Sequence, residues 1–179
     1  KIRSYIDNMS DLYKRLRDKL ENMATGYPTT PSGVELKILQ QLFTEEEADL
    51  FLQMENGPQT ASQTAARLGA DAAEMAKRLE EMARKGLIFR LTKENEIYYF
   101  PVPFVVGIYE FQLNHLTRPL LKDISRYYLE GLGASFHARK TPHQRSIPIN
   151  AEIVADDPIA PYDDAFAIIK SKSRIAVAE

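Results

Sequence analysis

The sequence predicts a mainly α-helical protein with one small β-hairpin. Three observations predict this. Capping-box patterns recur at four helix starts. Apolar residues recur between them at spacings of three and four. One pair of β-rich runs follows the last of these helices.

The first element is a helix over residues 1–23. Ile2, Ile6, Met9, Leu12, Tyr13, Leu16, Leu20 and Met23 form a narrow apolar stripe. Such a stripe suits the protein's own core or a seam with a partner helix, and its length favours the seam. Gly26 closes this helix, and Pro28 and Pro31 prevent its continuation.

Four shorter helices follow, predicted over 33–43, 45–54, 61–68 and 72–85. Their starts read Ser32-Gly33-Val34-Glu35, Thr44-Glu45-Glu46-Glu47, Thr60-Ala61-Ser62-Gln63 and Asp71-Ala72-Ala73-Glu74. In each, an oxygen-bearing side chain can accept a free backbone N–H, and the Glu or Gln three residues on can reach back. Asn56-Gly57-Pro58 breaks the chain before the third of them, and Gly69 ends it. The link to the fourth is very short, as in a helix-turn-helix.

Gly86 ends the fourth helix. Leu87 to Leu91 reads as a strand, Thr92 to Glu96 as a polar turn, and Ile97 to Phe100 as the returning strand. A hairpin after a helix-turn-helix is a wing, so Pro58 to Pro103 reads as a winged helix-turn-helix.

A long helix is predicted from Phe104 to about Glu130, kinked or split at Pro119 and finished by Gly131 and Gly133. It suits an antiparallel pair or a dimer layer. Residues 134–161, with Pro142, Pro148, Pro158 and Pro161, read as an extended arm. Tyr162 to Lys172 reads as a short helix, and Ile175 to Ala178 as a strand-like end. The expected organisation is an N-terminal helix over 1–27, a winged helix-turn-helix domain over 32–103, a long helix over 104–133 and an arm with a short helix over 134–179.

Bulk composition narrows the function classes. The chain has 179 residues, 44% hydrophobic and 27% charged, enough for a real core. Its net charge of −2 gives no global pull towards nucleic acid or anionic lipid. No apolar run is long enough to span a bilayer and no signal peptide is visible, so the expected location is the cytoplasm, without a membrane partner. Cysteine is absent, which excludes disulfides and thiolate metal sites within these residues.

The winged-helix reading names candidate DNA contacts. The second helix of the motif would enter the major groove of double-stranded DNA, with the wing on the backbone. Lys77, Arg78, Lys85 and Lys93 are the candidates. Lys77, Arg78, Arg84, Lys85, Arg90 and Lys93 are balanced there by Asp71, Glu74, Glu80, Glu81, Glu94 and Glu96. Phosphate neutralisation drives DNA affinity, so a neutral surface predicts a poor reader. The preceding helices are acidic, with Glu35, Glu45, Glu46, Glu47, Asp49 and Glu55 against Lys37.

No catalytic constellation emerges. His115, His137 and His143 lack metalloprotease spacing, and two histidines in one loop make a weak metal site. Asp156-Asp157 and Asp163-Asp164 are neighbours whose carboxylates point apart. The glycines fall mainly at helix ends, with no phosphate loop among them. The chain is expected to be non-enzymatic, with no catalytic, cofactor or metal residue.

Several stretches resemble a known family when taken together. They are Thr25-Gly26-Tyr27-Pro28, Ser32 to Leu39, Met82 to Arg90 and Pro103 to Leu113. Arg145 to Asn150, Pro161 to Ala165 and Ser173 to Ala178 extend the likeness. From about residue 12 onward the chain resembles the N-terminal region of bacterial and archaeal ferredoxin-type iron–sulfur proteins. In that family a MarR-like winged helix and a long helix precede a cysteine-rich four-iron, four-sulfur region. The resemblance implies that the chain is the front part of a longer electron-transfer protein, with 4Fe-4S clusters and a redox partner belonging to the part beyond residue 179. The expected function is a dimerising, regulatory winged-helix module, with a homodimer formed through 1–23 and 104–130. The alternative is a MarR-like transcriptional regulator.

Overall fold

The computed structural model describes the backbone of residues 2–138 and 162–175, and the side chains of 11–138 and 166–175. The protein is mainly helical with a small three-stranded antiparallel sheet. Residues 1–143 and 144–179 are separate compact units.

The first unit begins with α1 (Ile2–Glu21), α2 (Val34–Leu42) and α3 (Glu45–Gln53). Tyr13, Leu16 and Leu20 of α1 are buried with Ile38, Leu39, Leu50 and Phe51 in one core cluster. This half of the α1 stripe therefore serves the protein's own core. The expected seam with a second copy is not available along it.

Polar groups fasten these helices. The Tyr13 hydroxyl donates to the Phe43 carbonyl at 2.8 Å. Lys19 Nζ donates to the carbonyls of Phe51, Leu52 and Met54 at 2.9, 3.1 and 2.5 Å, covering acceptors at and just past the end of α3, where intrahelical donors run out. Its ammonium also lies 5.5 Å from the Phe51 ring centroid. Burial, followed by repulsion from Arg67, lowers the Lys19 pKa.

Two helix starts differ from expectation. Ser32 does not cap α2. The Thr30 hydroxyl accepts the Val34 N–H at 3.2 Å, and the buried Glu35 carboxylate accepts the Thr30 N–H at 3.2 Å. The left-handed turn at Gly33 (φ 69°) brings Thr30 over the helix end in place of Ser32. Ser32 instead donates to Glu130 at 2.5 Å. Asp71 accepts the Glu74 N–H at 2.9 Å, but Glu74 does not complete a reciprocal box. Thr44 and Thr60 form complete capping boxes with Glu47 and Gln63.

Beyond α3 come β1 (Gln59–Thr60), α4 (Ala61–Leu68), α5 (Ala72–Arg84), β2 (Ile88–Lys93) and β3 (Glu96–Pro101). The sheet order is β1-β3-β2. β1 was not foreseen: Gln59 and Thr60 pair with Tyr99 and Tyr98, and two residues carry no alternation to read. The hairpin turn is tighter than expected, because Lys93 pairs directly with Glu96. Glu94 and Asn95 both have positive φ, 52° and 66°, as a two-residue type I′ turn requires.

The expected helix from Phe104 to Glu130 is broken. Val105 and Val106 have extended backbone, and only Tyr109–Phe111 (α6) and a single tight turn at Leu113–His115 are helical before Leu116. A new helix, α7 (Arg118–Tyr127), starts where Thr117 Oγ1 accepts the Leu120 N–H at 3.3 Å. Pro119 lies in its first turn, where a missing N–H costs nothing, and so it starts a helix rather than kinking one. Gly131 and Gly133 do not end the run. A wide turn at Tyr128–Leu132 leads into α8 (Gly133–Ala138), so the arm predicted from residue 134 begins helical and includes His137.

Gly131 has a packing role: a Cβ there would meet Tyr127 at 2.8 Å and Thr30 at 2.9 Å. α7 packs on α2, with Leu120, Ile124 and Tyr127 buried. Tyr27, Phe104 and Tyr127 form the aromatic centre, with ring centroids 4.6 to 5.8 Å apart. Asp123, also buried on α7, accepts from Lys37 at 3.0 Å and Gln41 at 2.8 Å. These hydrogen bonds and the Lys37 charge hold its carboxyl below the usual range.

In the second unit α9 (Tyr162–Ser171) matches the predicted short helix. Phe166, Ile168, Ile169 and Ile175 are exposed. The rest of the predicted arm, His143, Asp156 and Asp157, and the predicted strand end from Ala176 lie outside the described residues.

Candidate nucleic-acid interface

The surface that the sequence nominates is built on α4, α5 and the β2–β3 hairpin. Thr60 opens α4, and Gly69 (φ 65°) closes it while the Ala70 N–H reaches back to Ala65 at 3.0 Å. Asp71 then restarts the chain as α5. Helical spacing sends Met75, Leu79 and Met82 into the core. The opposite face presents Glu74, Lys77, Glu81 and Arg84 to solvent.

The end of α5 is firmly held. The Leu87 N–H bonds to Met82 at 3.0 Å and the Gly86 N–H to Ala83 at 2.9 Å, the two bonds of a Schellman cap. Gly86 has φ 72°, and a Cβ there would lie 2.5 Å from the Phe111 Cβ. The buried Gln112 amide donates to the Lys85 carbonyl at 2.7 Å. Glu80 ties α5 to the sheet by accepting from Tyr99 at 2.8 Å and Arg90 at 2.9 Å. The Tyr99 hydrogen bond is the main reason that the Glu80 pKa is lowered.

The structure separates the four candidate DNA contacts. Lys77 is exposed on the open face of α5, and Lys93 is exposed at the hairpin tip as the last residue of β2. Lys85 turns to α3, where its Nζ meets the Glu47 carboxylate at 2.6 Å. Arg78 also turns to α3, with a guanidinium nitrogen 3.5 Å from the Glu46 carbonyl. They do not form one basic patch. Arg84 is an exposed base on this face that is not among those four. Its spacing of seven from Lys77 and three from Glu81 put it on the same face, and that signal was readable.

Electrostatically the open face of α5 alternates: Glu74, Lys77, Glu81 and Arg84 sum to zero. The remaining bases are partly spent, Lys85 on Glu47 and Arg90 on Glu80. The hairpin tip is acidic, and Tyr98 donates to Glu96 there at 2.7 Å.

Beside α5 lies an open cleft of about 1030 Å³. Its walls are the α2–α3 link, the first turn of α3, the last turn of α5, and Gln112 to Leu120. Glu45, Glu46 and Glu47 of α3 line it together with Glu81, Arg84 and Lys85 at the end of α5, so it has no single sign of charge. Among the described residues, no group of three or more His, Asp or Glu is placed to hold a metal ion. An iron–sulfur cluster does not fit this chain's donor set, because the sequence contains no cysteine thiolate.

Comparison with known proteins adds no assignment: no protein family matches the chain, and no curated protein is significantly similar to it.

Proposed function

We propose that the chain is a non-enzymatic, winged-helix protein-docking module that serves an iron–sulfur electron-transfer protein. Support for the winged helix comes from α4, the short Gly69–Asp71 link and α5, followed by the hairpin with β1 on its other edge. The iron–sulfur association rests on the sequence resemblance, with the clusters and their redox partner assigned to a segment other than residues 1–179.

One observation favours protein docking over DNA reading: the open face of α5 has zero net charge, with Lys85 and Arg90 held by carboxylates. A reader of DNA needs cations free to replace the counterions of phosphate. The dimerising role first expected of 1–23 and 104–130 is weakened, because the described α1 stripe and one side of α7 are used inside the chain.

Titration with a palindromic DNA duplex at about 50 and 200 mM salt tests the DNA side, since phosphate contacts make binding steeply salt-dependent. The expected result is no sequence-specific binding at either salt. A footprint on a palindrome would favour the regulator reading. Anaerobic purification of the full natural polypeptide, followed by electron paramagnetic resonance of its reduced form, tests the iron–sulfur side. A full polypeptide without closely spaced cysteines would overturn it.

A further inference from the structure

α7 has a covered side and an open side. Leu120, Asp123, Ile124 and Tyr127 face the core. The open side exposes Leu121 (46%) and, just past the helix, Tyr128 (58%) and Leu129 (77%). Their spacing of seven and eight from Leu121 puts them in one row with Ser125. The Ser125 hydroxyl folds back onto the Leu121 carbonyl at 2.8 Å, which leaves a small, flat centre in that row.

A basic row runs beside the apolar one. Arg118 and Lys122, one turn apart, are exposed and make no ion pair among the described residues. Arg126 continues the row and pairs with Glu130 at 2.5 Å. Asp123, the acid nearest in sequence, is buried on the far side and held by Lys37 and Gln41. The open side is thus locally positive on a chain whose net charge is −2.

We propose that this face docks an acidic amphipathic helix of another polypeptide. Its apolar stripe covers Leu121, Tyr128 and Leu129, and its flanking carboxylates meet Arg118 and Lys122. A second copy of the same face fits poorly, because two such faces would bring like charges together. Nucleic acid fits poorly as well, because phosphates would meet the basic row and leave the apolar row in water. The face lies outside residues 58–103, so the inference does not depend on the winged-helix reading.

The test uses residues 1–179 and two labelled peptides of about 18 residues, long enough for some five helical turns. Both carry the same leucine stripe, one flanked by Glu and the other by Lys. Fluorescence anisotropy is expected to show the Glu peptide binding at least about tenfold tighter, weakening with added salt. Leu129→Ser and Lys122→Glu are each expected to weaken it by about tenfold or more, with circular dichroism unchanged, while Lys14→Glu at an exposed position of α1 has no effect.

Equal binding of the two peptides, retained binding by Leu129→Ser, or an equal loss in Lys14→Glu would overturn the proposal. So would binding of phosphatidylserine vesicles but not of the Glu peptide, which assigns the face to a lipid surface. Self-association that Leu129→Ser abolishes would overturn it in favour of a second copy.

Discussion

Two regions of the first unit are stabilised in different ways. The α4–α5–hairpin region is punctuated locally: Thr60, Gly69, Asp71 and the Glu94-Asn95 turn each act within a few residues of their own position, and Gly86 does so while also packing against Phe111. The α1–α3 region with α7 is held across the sequence. Tyr27 meets Phe104 and Tyr127, Lys37 meets Asp123, and Lys19 covers the end of α3. The first kind of stabilisation is legible in sequence because cause and effect are neighbours. The second is not, because nothing near Tyr27 announces which ring it will meet.

The largest expected effect tests the long-range region. Tyr27 is fully buried, touches two aromatic rings and donates to the Glu35 carbonyl at 3.0 Å. Tyr27→Ala is expected to destabilise by about 3–5 kcal/mol, the range for deleting a large buried aromatic. Urea denaturation measures it. A loss under about 1 kcal/mol would mean that the aromatic centre does not hold this region together.

Glycine replacement probes the local region in two settings. Gly86 and Gly69 both have positive φ, but only Gly86 is crowded, by Phe111 at 2.5 Å. Gly69→Ala is expected to cost about 1–2 kcal/mol, for the left-handed conformation alone. Gly86→Ala adds a clash with a fixed side chain and is expected to cost about 1–3 kcal/mol more. Equal thermal shifts in the two variants would show that Phe111 moves aside freely.

Acid should weaken the long-range region in part through Asp123. Its folded pKa is lowered, so its contribution is complete above the unfolded value of about 4 and is lost as pH falls through the folded one. Asp123→Asn is expected to cost about 1 kcal/mol at neutral pH, the net value of an ordinary hydrogen bond, given that Lys37 is largely exposed. The difference from the unchanged protein should shrink below about pH 4 as Asp123 itself protonates. A difference that stayed constant to lower pH would remove the charge from the account.

Much of the local region could be read from residues. The predicted helices 33–43, 45–54, 61–68 and 72–85 appear as Val34–Leu42, Glu45–Gln53, Ala61–Leu68 and Ala72–Arg84. The run after Pro103 was misread because apolar periodicity continues across Gly107 and Leu116, although the backbone leaves the helix at both places. The candidate interface was legible as a set of charges but not as a geometry. Composition showed that bases and acids balance, while only the fold shows Lys85 on Glu47 and Arg78 turned to α3.

The smallest expected effect falls where the two regions' rules meet, at the start of α2. Sequence pattern nominates Ser32 as the cap, and the fold uses Thr30. Thr30→Ala removes the acceptor of the Val34 N–H and one of the two donors that engage the buried Glu35 carboxylate. It is expected to cost about 1–2 kcal/mol, the range for losing a cap. Ser32 is exposed, and its hydroxyl meets only Glu130 at 2.5 Å and the Thr30 hydroxyl at 3.4 Å among the described residues, so Ser32→Ala should change stability by less than about 0.5 kcal/mol. The order of the two losses in a chemical melt decides the matter. A larger loss for Ser32→Ala would mean that the local pattern was right and that the left-handed turn at Gly33 does not displace the cap.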